Sequence, residues 1–524
     1  MKSRFSKLML IGLGLVFAFL LMQGTLLESA AQVPKDIFIF GTTSETRTVD
    51  PQDSVDNISW RSIYYNYDRL VRYKGSTTEV EPMLAVGWDI SPDGKTYTFH
   101  LREGVKFIDG TPFNAEAVKF SFTRLLELGL AASGLLKGIV DLEGIEVVDE
   151  YTFRFHLNFP FAPFLGSLAS DQASIVSPGI MEHEVNDDYA RAWLAEHTAG
   201  TGPFHLTEWR RGDVMILKRN DAYWGPAPHF KEVHIKFVPD PAVLRDTIEV
   251  GDIDMGETLT ADQLDALSTT PGLRVIEEPS FLASYLYMNN QREFLSNPLV
   301  REAISFAIDY EGIIEGVTLG RAIQMRGPIP KGMDGHDETV FQYSRDLERA
   351  RQLLELAGHP DGFEIGLLID PGFPDWVAIA SIVKANLAEI GIKVNIDGFA
   401  RATMRDMLDK GDFDMATGFW TPDYPDADMF TWFWFLSENW GLAGNRSFYD
   451  NRWMDELVVA QREETDPTKR LEIFKKIQTI AVADAAYVYL YQANYRLAMR
   501  DNVKGYVYNP MLLNMPNFDT MQKE

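Results

Sequence analysis

Residues 363–420 restrict the fold more than any other part of the chain. Residues 363–370 (FEIGLLID) have the composition of a buried strand. Trp376, Ile379, Ala380, Val383, Leu387 and Ile390 then recur at spacings of three and four, which puts them on one apolar face of a helix. Gly391 stands where a helix-ending glycine belongs. Residues 392–396 form a second strand pattern, 402–408 a short helix ended by Lys410-Gly411, and 413–420 a third strand pattern. This β-α-β-α-β alternation specifies a parallel sheet covered by helices, because parallel neighbours need a long crossover to bring the chain back to the same edge.

Ligands of such sheets bind beyond the carboxyl ends of the strands. Those ends are residues 371–375, 398–401 and 421–428. The first loop carries Phe373, and the second carries Phe399 and Arg401. The third carries Asp423, Tyr424, Asp426 and Asp428, with Trp420 just before it. Asp423, Trp420, Tyr424, Arg401, Phe399 and Phe373 are therefore the candidate ligand-binding residues. A carboxylate here suits a ligand ammonium through a charge-assisted hydrogen bond. Arg401 suits a ligand carboxylate bidentately, or is a surface arginine of a helix. The Asp423/Asp426/Asp428 cluster also admits a solvated loop or the acid/base pair of a hydrolase. The aromatic run 431–435 (TWFWF) is expected to be mostly core, with alternate members reaching the cleft.

The remaining chain excludes several classes of chemistry. No cysteine is present among 524 residues, so disulfides, thiolate metal sites and a lipid-modified cysteine are excluded. A net charge of −27 opposes nucleic acid and anionic membrane surfaces. The nine histidines lack metal-binding spacing, and His100 and His156 are expected as satisfied sheet residues. No nucleophile elbow or phosphate loop occurs, so no catalytic residue, metal or cofactor is expected. Asn57-Ile58-Ser59 and Asn445-Arg446-Ser447 match glycosylation sequons, chance matches unless the source glycosylates its exported proteins. Lys2, Arg4 and Lys7, the apolar run 8–22 and Ser29-Ala30-Ala31 before Gln32 form a cleaved export signal over residues 1–31, with an uncleaved anchor as the alternative. Further along, residues 36–40, 88–90, 95–101 and 151–157 are strand patterns. Residues 60–70 and 115–126 are helical patterns, the second opened by Thr111-Pro112.

Four separated motifs carry a resemblance across nearly the whole chain. Residues 97–126 (YTFHLREGVKFIDGTPFNAEAVKFSFTRLL) are similar to the "TF-x-LR-x-GV-x-F-x-DG" signature of the family 5 extracellular solute-binding proteins, the receptors of dipeptide, oligopeptide and nickel ABC transporters. Residues 200–204 (GTGPF), 287–309 (NN…NPLVREAISFAID) and 420–430 (WTPDYPDADMF) follow in the family's order. The resemblance implies an α/β, two-lobed periplasmic-binding-protein type II (cluster C) fold with an extra subdomain inserted in lobe one. Residues 36–76, 201–284 and 488–524 would form lobe one, 77–200 the inserted subdomain and 285–487 lobe two, with hinges near 285–290 and 488–491.

It further implies a periplasmic or extracellular, monomeric receptor that hands a short peptide to ABC permease subunits. An oligosaccharide receptor of the same family, a sensor or chaperone for extended peptides, and a hydrolase are the alternatives. In peptide-binding members an Asp meets the peptide's terminal ammonium, and Asp423 matches it; nickel-binding members resemble this loop less well. Dipeptide-binding members carry an Arg in the first strand-end loop, whereas DPGFPD (370–375) has none. Either Arg401 takes that part, or the ligand is longer, or it has no carboxylate there.

Overall fold

The computed structural model describes residues 34–524 apart from 55, 443 and 514. The expected export signal, residues 1–31, lies outside the described residues.

An eleven-stranded sheet organises the chain. Its order from one edge is Lys393–Gly398, Glu364–Ile369, Met415–Trp420, Leu273–Met288, Tyr487–Arg500, Met255–Gly256, Ile37–Thr42, Glu232–Phe237, Val214–Arg219 and Phe204–Arg210, with Ala322–Gln324 alongside Tyr487–Arg500. The two central strands are 16 and 14 residues long and run antiparallel through both halves of the molecule. Their pairing is interrupted between Pro279 and Ala283 and again between Ser284 and Tyr285. Proline has no amide hydrogen to donate to a ladder, so Pro279 is a natural place for the break. The break precedes the crossing expected at 285–290, because regular pairing extends unbroken from Tyr285 to Tyr287.

The β-α-β-α-β unit forms as the residue pattern requires. Glu364–Ile369 pairs in parallel with Lys393–Gly398 on one side and with Met415–Trp420 on the other. The helix Pro374–Ala388 buries Trp376, Ile379, Ala380, Val383 and Leu387. Pro374 opens it with a pre-set φ where no amide hydrogen is needed. The helix Arg401–Lys410 ends at Gly411, whose φ of 71° is left-handed and favours glycine. Both helices thus begin at the carboxyl edge of the sheet, where the candidate loops lie.

A separate four-stranded antiparallel sheet, Ala85–Ile90, Thr96–Leu101, Thr152–His156 and Ile145–Asp149, packs under the helix Ala115–Leu128. Phe122 of that helix meets Phe155 edge-on at 4.9 Å between ring centroids. Asn114, rather than Thr111, caps the helix by accepting the Ala117 amide. His100 and His156 are half-exposed and pair with Asp89 and Glu146 at 2.9 and 2.7 Å.

One helix is shorter than its pattern suggests. The expected 60–70 helix covers Asn57–Ile63 and stops, because the following residues make tertiary bonds a helix would not allow. Asp68, for example, accepts from Thr201 Oγ1 at 2.9 Å and from Trp224 Nε1 at 2.8 Å.

A fully buried ion pair ties the smaller sheet's helix to the N-terminal segment. Arg124 donates to both oxygens of Asp50, at 2.6 and 3.0 Å, and also to Gln52 and the Tyr189 carbonyl. Arg124→Met would leave the Asp50 charge buried and unmatched. It is expected to cost about 3–5 kcal/mol in chemical denaturation, whereas the double change with Asp50→Asn recovers most of that loss.

Candidate functional site

The three strand-end loops meet at one edge. Phe373 stacks on Trp376 at 4.5 Å between centroids and lies 6.2 Å from Phe419. The Arg401 guanidinium sits over Phe373 at 4.9 Å and over Trp376 at 5.2 Å. Trp420 is half-buried, packs edge-on against Trp434 at 5.5 Å, and carries the Arg446 guanidinium 5.0 Å above its ring. Phe399 is exposed, with its backbone amide bonded to the Ile369 carbonyl at 3.0 Å.

The carboxylates of residues 421–428 have different roles. Arg470 grips Asp426 bidentately, at 2.7 Å on each side. Asp428 is fully buried, takes two bonds of 3.0 Å from Arg462, and accepts the Tyr424 hydroxyl at 2.6 Å. Tyr424 was expected to line the cleft but is itself buried, its ring against Phe161 and its hydroxyl committed to Asp428. A hydrolase built on Asp426 and Asp428 loses both carboxylates to arginines. Asp423 has no hydrogen bond or ion pair to any described residue. It is half-buried, and the protein around it strips away part of its water. Desolvation pushes its pKa up to about 7.

Asp423 lies at a seam between the two halves. Burial chiefly raises the pKa of the Tyr73 phenol, and the nearby Asp423 charge adds to the rise. A Cβ on Gly166 would come within 3.3 Å of Pro425, and Asn57 Nδ2 donates to Thr421 Oγ1 at 3.3 Å. Segments 57, 73 and 166 thus face the loop that carries Asp423.

Sequence reasoning missed Arg405, Arg446, Thr417 and Tyr287, which line a pocket with Arg401 and Trp376. Arg405 follows Arg401 by four residues on one helix, a spacing that was readable. Arg446 comes from a distant loop and had no such signal. It donates to the Leu442 carbonyl at 2.9 Å and to the Tyr287 hydroxyl at 3.0 Å. Its neighbour Asn445 is fully buried and bonded to the Leu436 and Tyr449 carbonyls, so that sequon is structural. In the aromatic run, Trp434 and Phe435 are core, while Trp432 and Phe433 are half-buried. No group of three or more His, Asp or Glu side chains among the described residues is arranged to hold a metal.

The family model of the bacterial extracellular solute-binding proteins, family 5 Middle, matches residues 79–441. The chain belongs to this family. A probable D,D-dipeptide-binding periplasmic protein, DdpA, of Escherichia coli (strain K12) is 43% identical over 498 residues, covering 94% of this chain and 95% of that one. The dipeptide-binding protein of the same organism is 30% identical over 469 residues, covering 85% and 87%. Among solved structures, the ABC transporter-associated periplasmic binding protein DppA from Helicobacter pylori, in complex with the peptide STSA, superposes with a TM-score of 0.83 at 30% identity, over 93% of this chain and 98% of that one. The two-lobed α/β fold expected from the motifs is that of the family. Family 5 members are periplasmic solute-binding proteins, and no helix among the described residues is long and apolar enough to cross a membrane.

The isolated carboxylate has a consequence for stability. Asp423 titrates near 7 in the folded chain and near 3.9 when unfolded. Between those values the unfolded state binds fewer protons, so ionising Asp423 weakens folding as pH rises and does so fully above 7. The ligand-free Asp423→Asn protein should therefore melt above the parent at pH 8 and level with it at pH 4. Differential scanning calorimetry at both values checks the sign.

Proposed function

We propose that this protein captures a short peptide between its lobes, with Asp423 holding the terminal ammonium and Arg401 the opposite carboxylate. The observation that carries this is the state of Asp423, a desolvated carboxylate without a counter-charge, facing the seam. A neutral ligand has no use for such a group, whereas an ammonium supplies the missing partner and restores the ionised form. Trp420, Phe373 and Phe399 provide apolar surface nearby. Arg401 stands over Trp376 in place of the arginine that dipeptide-binding members carry in the first loop.

Residues 36–76, 201–284 and 488–524 act as lobe one, 77–200 as its inserted subdomain and 285–487 as lobe two. Ligand contacts from both lobes favour the closed arrangement, because a ligand shifts such an equilibrium only by its differential affinity for the two states. The closed receptor then delivers its ligand to ABC permease subunits as a monomer, after export and cleavage near Ala31-Gln32. No bond is made or broken. The peptide-binding relatives support this reading, and the name of the 43% identical one extends it to D-configured dipeptides.

The test is a thermal-shift screen of residues 32–524 against L- and D-configured dipeptides, tripeptides, pentapeptides, cello- and manno-oligosaccharides and nickel complexes. A ligand of the folded state stabilises by about 2.7 kcal/mol at 100 times its dissociation constant. Peptides with a free amine should raise the melting temperature, and N-acetylated peptides should not. Peptide affinity should weaken on acidification below about pH 7, by at most about tenfold per unit, because Asp423 must lose a proton to meet an ammonium. Shifts by oligosaccharides alone would overturn the peptide reading.

A further inference from the structure

Three guanidinium groups share one pocket at the carboxyl edge of the sheet, and none has a carboxylate within ion-pair distance among the described residues. Arg401 and Arg405 make neither an ion pair nor a hydrogen bond with any described residue, and among the described residues Arg446 hydrogen-bonds only to a carbonyl and a phenol, its guanidinium lying over aromatic rings. The nearest carboxylates act on Arg401 and Arg405 through longer-range attraction, and each also accepts a backbone amide. Asp370 accepts the Gly372 amide at 2.9 Å, Asp409 the Leu442 amide at 3.1 Å, and Asp56 the Ser59 amide at 2.8 Å. Desolvation and mutual repulsion lower the pKa values of Arg401 and Arg405.

The arrangement is unfavourable by itself. A chain with a net charge of −27 has no shortage of carboxylates, yet Asp370, Asp409 and Asp56 act on these arginines only from beyond ion-pair distance, and no described carboxylate pairs with them directly. Thr417 also lines this pocket, and its hydroxyl is buried without a hydrogen-bond partner among the described residues, although unmatched polar atoms in a core are costly. Both features point to an acceptor-rich group arriving from outside. One carboxylate satisfies one arginine fork and leaves two cations unmatched. The Arg446 fork is also held in place in advance, by Tyr287 and Leu442.

We propose that this pocket is an anion subsite built for a group with two negative charges. The preferred ligand then carries a second acidic group beside its carboxylate, at the end away from its ammonium. This inference rests on the peptide reading above for its frame, and on Arg405, Arg446 and Thr417 for its content. A dicarboxylate and a phosphate share the required chemistry.

Isothermal titration of the mature chain with Ala-Ala, Ala-Gln, Ala-Glu and Ala-phosphoserine tests it, in parallel on the parent, Arg405→Gln and Thr417→Val. Ala-Glu should bind the parent at least about tenfold more tightly than Ala-Gln, the size expected for one added charge-assisted bond of 1.4 kcal/mol or more. Arg405→Gln should collapse that gap while leaving Ala-Ala affinity within about threefold, and Thr417→Val should narrow it. Ligand-free Arg405→Gln should melt no lower than the parent, since a like charge has been removed. Tighter binding of Ala-phosphoserine than of Ala-Glu would assign the subsite to phosphate, and the reverse to a dicarboxylate. Equal binding of Ala-Glu and Ala-Gln, or a gap that persists in Arg405→Gln, would overturn the subsite and leave the peptide reading standing. If no dipeptide binds, but succinate or inorganic phosphate raises the melting temperature of the parent and not of Arg405→Gln, the subsite stands and the peptide reading falls. If none of these probes acts, the subsite falls too.

Discussion

The antiparallel pairing of Leu273–Met288 with Tyr487–Arg500 is the constraint on which the remaining structure hangs. These strands pair residues 200 or more positions apart and have further strands of the sheet on both flanks. Met415–Trp420 borders one end of the pair and Met255–Gly256 the other. Through Met415–Trp420 the pair fixes where the β-α-β-α-β unit sits, and so where its loops open. Removing this ladder would leave two packed bodies with no defined cleft between them. The register breaks at Pro279–Ala283 and Ser284–Tyr285 interrupt the ladder within a few residues of each other, so the continuous sheet is weakened there.

The site is built from groups held against their electrostatic preference. Asp423 is partly desolvated without a cation paired to it among the described residues, and Arg401, Arg405 and Arg446 share a pocket without a directly paired carboxylate. Opposite charges within one cleft would cancel if they touched, but the fold keeps them in separate loops. On the proposed reading, a zwitterionic ligand would complement such a split arrangement by supplying a charged partner to each side. This also explains why the pocket residues are a poor choice for stability and a good one for recognition.

Much of the fold was legible because its signals are local. The apolar stripe from Trp376 to Ile390 and the strands around it follow from period alone, and their parallel pairing follows from the crossover length. Asp423 was legible through topology, as a loop residue at the carboxyl end of a strand. Tyr424 was not, because its burial depends on Phe161 and Asp428, which local sequence cannot place beside it. Arg446 was equally hidden, since its position depends on Tyr287, 159 residues away in the chain. The 60–70 helix was overestimated for a related reason: Asp68 is recruited by Thr201 and Trp224, and long-range bonds overrode local pattern there.

The loop that carries Asp423 is braced on its far side by Arg470 on Asp426 and by Arg462 on Asp428. Its backbone is therefore ordered before any ligand arrives, and the entropy of ordering it is lost during folding and not during binding. A stiff loop of this kind cannot reshape itself around a misfit. The protein would then distinguish among solutes by refusing those whose charges fall at the wrong separation, and the breadth of its diet would be set by how far apart the two bracing arginines hold that loop from the guanidinium pocket.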